Sequence, residues 1–263
     1  MQAIILAAGM GKRLGALTRN NTKCMIQVNG VTLIERMMRQ LDRLSPSLEK
    51  IVIVTGYEGE KLKTFLSRLD ISTPVEYVDN PLYASTNNIY SLYLAKEHLL
   101  QDDTLLFESD LIFEDSVIDA LLRHPYPSLA LVAKFESWMD GTVVTLDEDD
   151  NIRQFIPGSK FSYKKKTEYF KTVNIYKFSR EFSRTHYVPF LTAYSKALGN
   201  NEYYEQVLRV IALLDKPEIK ALRLGGEAWY EIDDIQDLDI AASIFTPDRE
   251  EHLRLMESRY GGY

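Results

Sequence analysis

The first 110 residues repeat one pattern: a short apolar run, a polar or glycine-rich break, then a longer segment whose apolar residues recur at helical spacing. Ala3–Ala8, Lys50–Thr55, Val75–Val78 and Thr104–Glu108 read as strands, and the first of them is apolar throughout, as a strand buried on both faces must be. Between them Val31–Leu44 places Leu33, Ile34, Met37, Met38 and Leu41 on one helical face, and Glu58–Leu69 and Asn87–Leu99 follow as further helices. This alternation predicts a doubly wound α/β sheet, with ligands held at the carboxyl ends of its strands.

Beyond Asp110 the texture changes. A helix over Asp115–Leu122 and a strand over Leu129–Phe135 precede two short β-rich runs, Thr142–Leu146 and Ile152–Ile156, which flank the acidic turn Asp147–Asn151 as a hairpin does. Lys171–Phe178 and Ile219–Leu224 read as strands, Ser179–Leu198, Tyr203–Leu214 and Asp234–Phe245 as helices, and Pro247 opens a polar C-terminal helix. The expected fold is therefore a mixed, mostly parallel sheet with a smaller antiparallel region at about residues 136–200, all within residues 1–246. Residues 247–263 are expected to be a helix and a linker, and the closing Tyr260-Gly261-Gly262-Tyr263 reads as the entrance to another unit of a longer chain.

Composition narrows the function. A formal charge of −7 argues against a nucleic-acid binder, whose affinity rests on many Lys and Arg contacts to phosphate, so any anion site is local. Cys24 is the only cysteine, which excludes an intramolecular disulfide framework and a cysteine zinc cluster and fits a reducing compartment. The opening MQAIILAAG lacks a basic leader and is too short to span a bilayer, so the expectation is a cytoplasmic protein with no membrane partner.

The loop after the first strand carries the strongest chemical signal. Gly9, Gly11 and Gly15 miss the dinucleotide fingerprint because the third glycine stands one place late, although Glu35 lies about twenty residues on, where a ribose-binding acid belongs. A P-loop fits less well: Leu6 occupies the place of its first glycine, and Arg13 follows Lys12 where Ser or Thr is needed. Lys12, Arg13 and Lys23 suit a triphosphate, since glycines let backbone N–H groups approach phosphate oxygens and Arg13 can fork two of them.

These residues also carry a resemblance. LAAGMGKRL followed by LTRNNTKCMIQVNGVTLIERM resembles the opening of nucleotidyltransferases that activate sugar phosphates, phosphocholine or phosphonates, with Thr22 where many members have proline before the lysine. NPLYASTNNIYSLYLAKEHL, DDTLLFESDLIFE and WYEIDDIQDLDIA extend the likeness in order along nearly the whole chain, and with WMDGTVV and KTVNIYKFS the set is most similar to the 2-aminoethylphosphonate cytidylyltransferases within the phosphocholine cytidylyltransferase-like family.

The resemblance implies a Rossmann-like nucleotidyltransferase fold and a site assembled from distant segments. Arg13 and Lys23 would act on the triphosphate. Leu6, Ala8, Gly9, Gly11, Lys12, Ser85, Thr86, Asn87, Asn88, Ser91 and Glu108 would surround the nucleotide, and Asp110 and Asp233 would bind Mg²⁺. For a lone Asn87 a helix N-cap is the better reading, and Asp234 or Asp237 can cap the last helix. Trp138, Asp140, Lys160, Lys171, Tyr187 and Glu231 are candidates for the acceptor: aromatic faces suit a quaternary ammonium, whereas oxygens suit a primary one. Tyr194 and Trp229 are further aromatic candidates, and Lys164–Lys166 reads as a solvated turn. The expected substrates are CTP and a small amine-bearing phosphonate or phosphate ester, with phosphocholine, a sugar 1-phosphate, or a non-catalytic nucleotide-binding module as alternatives. Some relatives are fused to a pyridoxal-phosphate aminotransferase, which the ending of this chain would suit.

Overall fold

The computed structural model describes residues 1–216 and 218–246; the helix expected from Pro247 lies outside them. The strands, in chain order, are β1 (Gln2–Ala7), β2 (Gln27–Val28), β3 (Val31–Thr32), β4 (Lys50–Thr55), β5 (Val75–Asp79), β6 (Thr104–Glu108), β7 (Leu111–Phe113), β8 (Leu129–Lys134), β9 (Val143–Leu146), β10 (Ile152–Ile156), β11 (Phe170–Phe178), β12 (Lys220–Arg223) and β13 (Trp229–Glu231). The main sheet runs β10-β9-β11-β6-β1-β4-β5, with β8 paired to β11 and β12 to β8. Its β6-β1-β4-β5 half is parallel, β11 enters antiparallel to β6, and the β9-β10 hairpin extends this same sheet.

β1 lies at the centre because all six of its residues are buried. Their alternation decides which core each side chain joins: Ile4 and Leu6 pack on one face with Leu92, Tyr176 and Leu208, while Ala3, Ile5 and Ala7 pack on the other with Met37, Leu41 and Phe107. The helix Leu33–Asp42 covers the second face, its start capped by Thr32, whose Oγ1 accepts from the Glu35 amide at 3.1 Å. A third, smaller core under the glycine loop joins Leu14, Leu33, Ile112, Tyr230 and Phe245.

Two departures from the expected elements have local causes. The helix read over Asn87–Leu99 breaks into Asn88–Leu94 and Lys96–Leu99 at Ala95, whose amide turns to the Ser91 and Tyr93 carbonyls. The long helix expected over Ser179–Leu198 contains a π turn, Ser183–Tyr187, in which residues five apart stack over one another. That places Tyr187 beside Phe182, with ring centroids 6.1 Å apart, and buries both.

Gly56, just after β4, lines up against the glycine loop. A Cβ there would stand 2.8 Å from the Ala8 carbonyl oxygen and 2.8 Å from Tyr83 Cβ. Backbone on one side cannot rotate away, so Gly56→Ala is expected to destabilise the fold by about 1–3 kcal/mol. A thermal melt checks this, and an unchanged midpoint would show that the loop yields freely.

Candidate active site

The carboxyl ends of β1 and β6, with Asn80 just past β5, open into a cleft of about 860 Å³, within the range of small-molecule sites. Leu6, Ala8, Gly9, Gly11, Lys12, Arg13 and Lys23 form one wall, and Thr86, Asn87, Asn88, Ser91, Glu108 and Asp110 another. Gly11 has a φ of 59°, which disfavours any side chain, and a Cβ on it would meet Lys23 Cβ at 3.0 Å. That glycine therefore lets Lys23 lie flat under the loop.

Lys23 is the electrostatic centre. Its Nζ donates to Asp110 Oδ2 at 2.5 Å and to Asp233 Oδ1 at 2.7 Å, and Arg13 Nη2 pairs with the same Asp233 oxygen at 2.6 Å. Burial alone would lower the lysine pKa, but the two carboxylates outweigh it and hold the ammonium firmly protonated. Burial would raise Asp233, and there Lys23 and Arg13 win in the other direction.

A small ladder explains how residues 123 positions apart come together. β13 pairs antiparallel with β7, placing Glu231 opposite Leu111, and the Ile232 amide donates to the Asp110 carbonyl at 3.0 Å. Asp234 then caps the helix Ile235–Ile244, and the Asp237 carboxylate accepts from the Asp233 and Asp234 amides at 2.8 and 3.0 Å. Capping thus falls to Asp234 and Asp237, and the Asp233 carboxylate faces the cleft.

This donor set suits a hard divalent cation. Carboxylate oxygens of Asp110, Glu231 and Asp233 lie within 4.8 Å of one another, and Asp110 Oδ1 is buried without a hydrogen-bond partner among the described residues. The Lys23 ammonium meanwhile supplies positive charge between the two aspartates.

The acceptor candidates separate. Lys171 is 3% exposed and donates to the Thr172 carbonyl at 2.8 Å and to Glu231 Oε2 at 3.1 Å. Burial would lower its pKa, yet Glu231, Glu205 and Glu108 outweigh that and raise it. Asn174, at a φ of 61° within a register shift of β11, donates to Glu231 Oε1 at 3.2 Å, so both oxygens of Glu231 are engaged. Trp138 stacks on Tyr230, centroids 5.0 Å apart and planes 6° from parallel, beside a side pocket of about 290 Å³. That pocket shares Arg13, Asp140, Lys171, Glu231 and Asp233 with the main cleft and includes Trp229.

Three expected site residues stand elsewhere. Tyr187 is fully buried, packs on Phe178 and donates to the Tyr204 carbonyl at 3.3 Å; the π turn turned it into the core. Lys160 is exposed at the end of a short turn whose Pro157, Gly158 and Ser159 line the cleft in its stead. Ser85 is exposed, its hydroxyl donating to the Leu82 carbonyl at 3.3 Å. Tyr194 packs against the core, and Lys164–Lys166 lies exposed in a turn.

Asn87 caps its helix, its Oδ1 accepting from the Asn88 amide at 2.8 Å, while still lining the cleft. Asn88 spans two elements: Nδ2 donates to Glu108 Oε1 at 3.1 Å, and Oδ1 accepts from the Tyr204 amide at 3.0 Å. Sequence reasoning missed Asn80, Tyr83, Asn174, Glu202, Tyr203, Glu205 and Gln206 in the cleft wall. Asn80 and Tyr83 lie in the NPLYAST stretch and Asn174 in KTVNIYKFS, whereas Glu202, Tyr203, Glu205 and Gln206 lie outside the motifs that carry the resemblance.

A family model described as the MobA-like NTP transferase domain matches residues 3–194, most of the chain. The chain belongs to the MobA-like NTP transferase family. This transferase is 28% identical to the CMP-5'-(3-aminopropyl)phosphonate synthase of Streptomyces rubellomurinus over all of its own length and 41% of that protein's, so it spans less than half of that relative. It is 34% identical to the 2-aminoethylphosphonate cytidylyltransferase of Lancefieldella rimae over 61% of this chain and 63% of that one. Among solved structures, the CTP:phosphocholine cytidylyltransferase of Streptococcus pneumoniae superposes with a TM-score of 0.74 at 25% identity, covering 93% of this chain and 99% of its own. The mixed, mostly parallel sheet read from the sequence is the fold of this family. Among the described residues no helix is long and apolar enough to cross a membrane.

Proposed function

We propose that this transferase moves CMP from CTP to 2-aminoethylphosphonate, releasing pyrophosphate, with Mg²⁺ held by Asp110 and Asp233. The observation that carries the reading is one cleft in which a lysine-bearing glycine loop, an acid pair and the buried Lys171 converge. The names of the relatives supply the acceptor class: phosphonates or phosphate esters bearing an amine.

A phosphonate oxygen attacks the α-phosphorus in line, a new P–O bond forms, and the bond to the β-phosphate oxygen breaks. The attacking oxygen is already ionised at neutral pH, so no residue need remove a proton, and catalysis is positioning and charge stabilisation. Arg13 and Lys12 hold the triphosphate against the loop, Lys23 follows the charge that grows on the leaving pyrophosphate, and Lys171 orients the acceptor oxyanion. Mg²⁺, when bound, offsets phosphate charge and polarises the P–O bonds. Thr86, Asn87 and Asn88 line the end of the cleft that receives the base, with the free amide hydrogens of the two asparagines available to a pyrimidine edge. The fusion to an aminotransferase extends the same proposal to a longer natural chain.

Phosphocholine is the second reading, favoured by the Trp138–Tyr230 stack beside the side pocket, since aromatic faces attract a quaternary ammonium. Pyrophosphate release with CTP and Mg²⁺ across 2-aminoethylphosphonate, phosphoethanolamine, phosphocholine and glucose 1-phosphate tests both. The expected order places 2-aminoethylphosphonate first by about tenfold or more in kcat/KM. Equal rates across the amines, or preference for phosphocholine, would overturn the first reading.

A further inference from the structure

Glu205 opens the short helix Glu205–Ile211, is 6% exposed and lines the cleft beside Lys171. Among the described residues its Oε2 has no hydrogen-bond partner. Lys171, the cation whose field it shares with Glu231 and Glu108, is already committed to Glu231 and to a backbone carbonyl. A carboxylate this deep is costly unless a positive or donating group meets it. The preceding Tyr204 is fully buried and packs edge to face on the buried Tyr176, centroids 5.7 Å apart. Three acids therefore share the field of one engaged ammonium, and among them the buried oxygen without a partner is Glu205 Oε2.

We infer that Glu205 is the anchor for the acceptor's ammonium group, selecting a small phosphonate or phosphate monoester that carries a primary amine at its far end. The inference rests on the proposed transfer reaction and deepens it. Lys171 turns its one remaining N–H to the phosphonate end near the acid pair, and Glu205 takes N–H donors further in. Glu231 is the poorer anchor, because Asn174 and Lys171 already occupy its two oxygens. A trimethylammonium has no N–H to donate and cannot complete the interaction. Burial pushes the Glu205 carboxyl up to about 7, in keeping with a site that reaches full charge when a cation arrives.

The test uses the whole chain with CTP and Mg²⁺, and compares 2-aminoethylphosphonate with ethylphosphonate, which lacks only the amine. The wild type is expected to prefer the amine by about 100-fold or more in kcat/KM, because a site built to bind a polar group rejects the analogue without it. Glu205→Gln is expected to lower that preference by at least about tenfold, mainly through KM, and Glu205→Asp to recover part of it. A wild type that turns over both acceptors equally, or a Glu205→Gln protein that keeps the wild-type ratio, overturns the inference while leaving the transfer reaction standing. Loss of turnover on both acceptors in both variants overturns it too, since a role confined to the amine cannot abolish ethylphosphonate transfer. No pyrophosphate from the wild type with any acceptor instead removes the reaction itself.

Discussion

Lys23→Ala is expected to reduce kcat by on the order of 100-fold or more at saturating CTP and Mg²⁺. The magnitude follows from position. The ammonium is buried between Asp110 and Asp233 beneath the glycine loop, where a charge acts through little water and, in the proposed reaction, needs no reorganisation as pyrophosphate departs. A lysine that only bound substrate would raise KM and leave kcat intact, so the split between the two constants decides its role. Steady-state rates of pyrophosphate release measure both, and near-normal turnover in the variant would sink the assignment. The same substitution leaves two close carboxylates without their shared cation. Divalent binding to the nucleotide-free protein is therefore expected to be retained or strengthened even as turnover collapses, which separates loss of catalysis from loss of the site.

Asp110→Asn should have an effect of similar size through a different route. The change keeps the shape of the side chain and removes its charge, so the neighbouring Lys23 loses one of its two partners and the cation site one of its anionic oxygens. Turnover is expected to fall on the order of 100-fold or more, with weaker divalent binding. Titration with Mn²⁺ followed by its paramagnetic signal, beside the rate assay, checks the two effects together. An Asp110→Asn protein that binds Mn²⁺ as tightly as the wild type would show that the cation sits elsewhere. The contrast between the variants is the sharper result: both lose rate, but only the aspartate change should lose the metal.

Three strands of the parallel half, β1, β4 and β6, were legible because burial on both faces leaves a near-continuous apolar run, and Lys50–Thr55 and Thr104–Glu108 coincide with β4 and β6. The loop residues from Gly9 to Lys23 were legible because glycine and basic residues after a first strand have few physical uses. Tyr187 was not. Aromatic content cannot say whether a ring faces rim or core, and one π turn settled it by stacking residues five apart. Lys160 failed for a related reason: a turn displays only part of its circumference to a cleft, and its backbone neighbours took the inner side.

By itself the sequence determined which segments must be buried, where the glycine-rich basic loop lies, and through its likeness to known transferases which two aspartates to set beside it. Only the tertiary structure decided how those aspartates meet. The β7–β13 ladder closes a long loop of chain so that Asp110 and Asp233 share one lysine, and no local pattern encodes a contact between residues so far apart. The same holds for Glu205. In NNEYYEQ it is one acid among polar and aromatic neighbours, and it becomes a candidate anchor only because packing of its helix buries it beside Lys171 with an oxygen unspent. Hydrophobic periodicity specifies burial along the chain, whereas the pairing of charges inside the cleft is a property of the closed fold.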